Sequence, residues 1–202
     1  RTTFLVGYPG ETDADFAADA FHEIYHADLV NTIGNCASRT TAMTNKYFDG
    51  IVPSEAPNGE RITFDGYDWP AMTEQAVNNA IDAHERLAFD DAINEAMHLV
   101  RKVDYFINET EPFKRAKDES KRDEVGAILY QCLETIRIAS LLLNCVLPDK
   151  TQQLWQALGL EIDPTNGGLH ESAKWGGMPT GHKVDKIALF PRVDEPINIA
   201  TA

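Results

Sequence analysis

The chain has 202 residues and a mass of 22.5 kDa, enough for one well-filled domain and too little for two independent ones. With 43% hydrophobic and 25% charged residues it sits at the globular average, which excludes a disordered or fibrous chain. Eighteen Lys and Arg against 32 Asp and Glu leave a net charge of −14, a field that repels phosphate backbones and anionic membranes and so excludes non-specific coating of DNA or RNA. No run approaches the roughly 18 consecutive apolar residues of a membrane span, and the longest, Ile138 to Leu143, already contains Ser140. Arg1 opens no charged-then-apolar leader, so no secretory signal is expected. The three cysteines, Cys36, Cys132 and Cys145, are an odd number in apolar contexts, which predicts reduced core thiols in a cytoplasmic protein.

In chain order, residues 1–16 read as an extended lead-in with a turn at Pro9-Gly10 and an acidic stretch at Asp13–Asp15. From Ala18 to Phe48 the spacing is helical: Phe21, Tyr25, Leu29, Ile33, Ala37, Thr40, Met43 and Tyr47 form one stripe, which Asp49-Gly50 and Pro53 stop. A loop rich in Pro, Gly and Asn follows to Pro70, with a turn at Asp65-Gly66. A second helix is predicted over Pro70–Leu87 and a third from Phe89 to Ile107, ended by Pro112. The fourth, Lys121–Asn144, is the most apolar, and a short fifth begins near Pro148 and ends at Leu158-Gly159. Wide apolar stripes joined by short connections predict an all-α antiparallel bundle of about five helices. Residues 161–202, with Trp175-Gly176-Gly177 and several prolines, read as an irregular or β-like tail lying over the bundle.

Four patterns bear on chemistry. His22-Glu23-Ile24-Tyr25-His26 is a literal H-E-x-x-H, whose imidazoles at i and i+4 would hold zinc with Glu23 as general base. A catalytic zinc needs a third protein ligand, and Ala27-Asp28-Leu29 stands where the continuation would be, so the reading favours packing histidines and no metal site. Glu95-Ala96-Met97-His98 is one unit of a di-metal bundle site, without the second such unit it requires. Lys114, Arg115, Lys117, Lys121 and Arg122 gather within nine positions, diluted by Asp118, Glu119 and Asp123. Asn31, Asn35 and Arg39, spaced by four, place amides and a guanidinium on the face opposite Leu29 and Ile33, where they suit a base edge and a phosphate or an ordinary solvated face. Spacing alone assigns no catalytic residue.

Those residues sit in a longer string, Tyr25-His26-Ala27-Asp28-Leu29-Val30-Asn31-Thr32-Ile33-Gly34-Asn35-Cys36-Ala37-Ser38-Arg39. It resembles the N-A-D-L-x-N-x-x-G-N-x-x-S-R segment that opens the anticodon-binding helical domain of methionyl-tRNA synthetases. The resemblance continues in order through Phe89-Asp90-Asp91-Ala92-Ile93, Asn108-Glu109-Thr110-Glu111-Pro112-Phe113, the Leu141–Leu160 segment with Pro148 and Trp155, and Trp175-Gly176-Gly177 with Gly181-His182-Lys183-Val184. Neither the H-I-G-H-type nor the K-M-S-K-S-type signature of the family's catalytic domain occurs.

The resemblance implies residues 18–160 as the anticodon-binding bundle, 161–202 as a tail over it, and 1–17 as a linker from a catalytic domain absent from this chain. It implies that Asn35 bonds an anticodon base, that Arg39 contacts base or phosphate, and that Phe113 stacks on an unstacked base with Pro112 fixing its backbone. Lys114, Arg115 and Lys117 are the expected phosphate contacts. The expected partners are methionine tRNA, through its CAU anticodon loop, and the enzyme's own catalytic domain, with no DNA or membrane. ATP and Mg²⁺ would belong to that domain, leaving this chain no cofactor and no catalysis of its own. Phe113 replaces the family's Trp and offers less stacking area; His26 stands where Asn is usual, and Cys145 where Pro is. The His22/His26 side of the first helix, polar beside apolar, is expected to be exposed as a docking face for the catalytic domain. A zinc hydrolase built on His22, Glu23 and His26, or a helical protein-interaction module, are the alternatives.

Overall fold

The computed structural model describes residues 18–163 and 167–194; the lead-in expected over 1–17 and the end of the tail lie outside the described residues. The first predicted helix is continuous but not uniform. α1 (Ala18–Ile24) passes through a π-helical stretch, Tyr25–Gly34, into α2 (Asn35–Phe48). The wider winding shows in bonds that reach back five residues: the Asn35 N–H to the Val30 carbonyl, and the Thr32 hydroxyl to the Ala27 carbonyl at 2.7 Å. Its effect is to bury Val30 and Gly34 beside Leu29 and Ile33, a broader stripe than a period of 3.6 predicts. Gly34 is required there, because a Cβ would lie 2.8 Å from the Leu29 carbonyl oxygen and 3.3 Å from the Phe190 ring.

α3 (Trp69–Glu85) begins after Asp68, with Pro70 in its first turn, where a missing N–H costs nothing. Three residues later α4 (Phe89–Thr110) turns back along it, with Asp90 and Asp91 at its positive end. α4 stops at Glu111, which takes a left-handed φ of 45° because Pro112 cannot continue the ladder. The sequence reading did not include the next two elements, the short helix α5 (Pro112–Arg115) and a 3₁₀ turn at Glu119–Lys121. Asp118 caps that turn, and the Ser120 hydroxyl and N–H hold its carboxyl below the ordinary range.

α6 (Arg122–Leu143) is the axis of the fold, packed against α4, α2, α3 and α7 (Pro148–Ala157), and every residue from Val125 to Leu143 is buried. The segment Glu119–Leu143 has the length and composition of a membrane span, yet its most apolar stretch is wholly enclosed by its neighbours. An aromatic cluster closes the loop of residues 53–68 onto the bundle, with Phe106 4.6 Å from Tyr67, 5.2 Å from Phe64 and 5.3 Å from Trp69 between ring centroids. The turn at Asp65-Gly66 is present, Tyr67 N–H bonding the Phe64 carbonyl. Cys36 and Cys132 are buried, and burial pushes the Cys36 thiol up to about 12. Cys145 is exposed, against the expectation of a third core thiol, because it follows α6 where the chain leaves the core.

The tail does lie over the bundle. A short helix, α8 (Gly168–Ser172), is its one regular element among the described residues, and its β character there reduces to a single antiparallel bridge between Ile51 and Lys183. Beyond it the backbone is stitched to two corners: Val184 N–H to the Gly50 carbonyl at 2.7 Å and Asp185 N–H to the Ala157 carbonyl at 2.7 Å. A buried ion pair fastens the start. Arg137 donates to both Glu134 carboxylate oxygens at 2.7 and 2.9 Å, and to the carbonyls of Ser172 and Lys174 at 2.6 and 2.8 Å. Glu134 in turn accepts the N–H groups of Gly176 and Gly177 at 2.7 and 2.9 Å. A Cβ on Gly177 would stand 2.6 Å from the guanidinium carbon, which is why the sequence has glycine there.

Candidate nucleic-acid interface

Of the predicted site residues, Asn35 and Arg39 lie on α2, and Arg39 is joined to the C-terminal half of α4 where the two helices cross. Asn35 opens α2 and is exposed. One regular turn later, Arg39 forms an ion pair with Asp104 of α4 and donates to Asn108 Oδ1 at 3.0 Å. Asn108 Nδ2 lies 3.5 Å from Asp104 Oδ2, so both polar partners lie close to one another. Asp104 was not among the predicted residues; it lies on a polar helix face, and the crossing of α2 gives it its cationic partner. Asn108 appeared only as part of a motif.

Five residues past Asn108 the chain presents Phe113. Pro112 is buried and Phe113 is 40% exposed, so the ring stands out from a fixed backbone. Glu111 holds the corner from both sides: its N–H bonds the Ile107 carbonyl at 3.0 Å and its carbonyl accepts the N–H of Lys114 at 2.8 Å. Arg115, expected on phosphates, is turned inward. Its Nε donates to the Thr110 carbonyl at 2.6 Å and its other nitrogen pairs with Glu124, so it braces the end of α4. Lys114 is exposed and pairs with Glu111 at 2.5 Å. Lys117 is exposed and among the described residues has no side-chain bond. The arrangement is an open surface with an amide, a neutralised guanidinium and a raised ring, suited to gripping an extruded planar base by edge and face.

The H-E-x-x-H segment is arranged differently. The His22 and His26 rings are 4.5 Å apart between centroids, and both are half-buried. His26 Nε2 donates to the Val193 carbonyl at 2.8 Å, and a nitrogen that carries a proton does not ligate a metal. Among the described residues no cluster of three His, Cys, Asp or Glu side chains could hold a metal ion. Nor is this side of the helix an open docking face. Tyr25 Oη donates to the Pro191 carbonyl at 2.8 Å, so the tail covers what the sequence reading left exposed.

Residues 71–197, more than half of the chain, match the family model described as the anticodon-binding domain of tRNA ligase. The chain belongs to that family. Among its relatives, the methionine–tRNA ligase of Halalkalibacterium halodurans is 36% identical over 99% of this chain, and that of Streptomyces coelicolor is 36% identical over 96%. This anticodon-binding domain spans 30% and 37% of those two relatives' lengths. The crystal structure of apo methionyl-tRNA synthetase from Mycobacterium tuberculosis superposes with a TM-score of 0.78 at 21% identity, covering 96% of this chain and 39% of that one, and so shares its fold. The helical bundle expected from the apolar stripes is therefore the family's fold; the Pro112 corner lies within the matched residues 71–197, and α2 precedes them.

Proposed function

We propose that this domain reads the CAU anticodon loop of methionine tRNA as part of a methionine–tRNA ligase, whose catalytic portion supplies the ATP- and Mg²⁺-dependent aminoacylation. The observation that carries the reading is the joining of Arg39 to Asp104 and Asn108 immediately before the corner that raises Phe113. Asn35 contributes an exposed amide whose donor and acceptor match a base edge, and Phe113 the face on which that base stacks. Arg39, already neutralised by Asp104, acts as a directional donor more than as a free charge. Lys117 and Lys114 lie at the rim, where phosphates of the loop would pass. Specificity then follows from edge bonding, since a site built for one base leaves polar groups unpaired with another.

Titration with a CAU stem-loop at low salt tests this. Stacking is worth about 1–3 kcal/mol per base, so Phe113→Ala is expected to weaken binding about 5- to 150-fold. Phe113→Trp should strengthen it, and Asn35→Ala should cost discrimination at the first anticodon position more than affinity. No response to either alanine substitution would remove the reading and leave a protein-interaction module.

A further inference from the structure

Tyr105 is 67% exposed, more than any other large apolar or aromatic side chain on α4 and more than Phe113 itself. Among the described residues it makes no hydrogen bond and no ring contact, although every other Phe, Tyr and Trp ring from Phe64 to Phe106 is packed against a neighbouring ring. The apolar stripe of α4 runs through Met97, Val100, Val103, Phe106 and Ile107 on the far side, so no packing requirement puts an aromatic ring at this position. Arg, Lys or Glu would form the helix at least as well.

What distinguishes the position is its company. At i+3 and i−4 on one helix face, Tyr105 is flanked by Asn108, which accepts from Arg39, and by Arg101, which pairs with Asp28 at 3.0 Å. Asp104, the ion-pair partner of Arg39, is the preceding residue. Two rows of bonds from the first helix thus run along one side of the ring, at Arg101–Asp28 and at Arg39–Asp104, and leave its face uncovered. The end of α4, where the chain turns to present Phe113, is about 8 Å further along the axis, five residues at 1.5 Å each. Tyr105 therefore lies level with the polar group formed by Arg39, Asp104 and Asn108, and Phe113 follows beyond the end of the same helix.

We propose that Tyr105 is a second stacking platform for an unpaired base of the RNA loop, beside the Arg39 group on α4. The inference rests on the anticodon reading and adds to it a second point of attachment. One ring holds one base; two rings on one helix and its following corner would hold a pair of splayed nucleotides, and with them the register of the loop. The phenol hydroxyl is not needed for this, and neither is any net charge, which suits a chain that carries −14 overall.

The test is a titration of the whole chain with CAU stem-loops carrying 2-aminopurine at one loop position at a time, for the wild type, Tyr105→Ala, Tyr105→Phe and Phe113→Ala. Alanine is the better helix former and position 105 is at the surface, so the variants fold. Tyr105→Ala is expected to weaken binding about 5- to 150-fold and to abolish fluorescence quenching at one loop position, a different position from the one lost in Phe113→Ala. Tyr105→Phe should bind within about twofold of wild type. The salt dependence should be the same in all four proteins, because no charge is removed. If the wild type binds the CAU loop and Phe113→Ala weakens it while Tyr105→Ala does not, this proposal is overturned and the anticodon reading stands. If Tyr105→Phe loses as much as Tyr105→Ala, stacking is overturned in favour of a hydroxyl contact. If the wild type does not bind the CAU loop, both fall together.

Discussion

Arg115 donates to the Thr110 carbonyl and pairs with Glu124, which makes it a brace for the corner that follows α4; the phosphate contact expected of it came with the resemblance. The two roles separate in the salt dependence of RNA binding. A residue that neutralises a phosphate contributes a slope of about 0.7 per charge on single-stranded RNA, whereas a brace contributes none. Arg115→Ala is therefore expected to lower the unfolding midpoint and the affinity for a stem-loop while leaving the salt slope unchanged. A slope smaller by about 0.7 with unaltered stability would return Arg115 to the phosphates. Asn35, Arg39 and Phe113 were named from the strings they sit in, which give their order along the chain but not what they touch. Asp104 was not, since an acid on a polar helix face takes its meaning from a helix 65 residues away in sequence.

Among the elements, the ends and faces of the helices follow from chemistry local to the chain. Proline marks the starts of α3, α5 and α7, and apolar spacing marks α4 and α6. The π-helical stretch escaped because the same residues satisfy a 3.6 period; only the folded chain shows Gly34 facing Phe190 of the tail. Glu134 and Arg137 escaped for a related reason. At i, i+3 they look like a surface pair, yet their side chains are 0% and 4% exposed because the tail closes over them. Removing one partner of a buried pair leaves an uncompensated charge, at a cost of about 3–5 kcal/mol. Arg137→Ala should lose that much stability in urea unfolding, while Lys174→Ala, which breaks an exposed pair with Glu171, should change it by less than about 1 kcal/mol. Comparable small effects from both would mean that the tail is not anchored through this pair.

For the whole molecule, the −14 charge and the proposed RNA partner pull in opposite directions. The geometry reconciles them by keeping most of the site close to neutral: Arg39 faces Asp104, Lys114 faces Glu111, and the aromatic rings carry no charge. Such a surface gains little from long-range attraction, so under the proposed function its affinity for an isolated loop is expected to be modest and its selectivity is expected to come from base edges and faces. The most direct measurement is accordingly a ratio. Dissociation constants of the wild-type chain are compared, at one low salt concentration, for a CAU stem-loop and for the same stem-loop with its first anticodon base changed. Discrimination of about 1–3 kcal/mol at one base predicts a preference of about 5- to 150-fold for CAU; equal binding of the two loops would contradict the assignment of this surface as an anticodon reader.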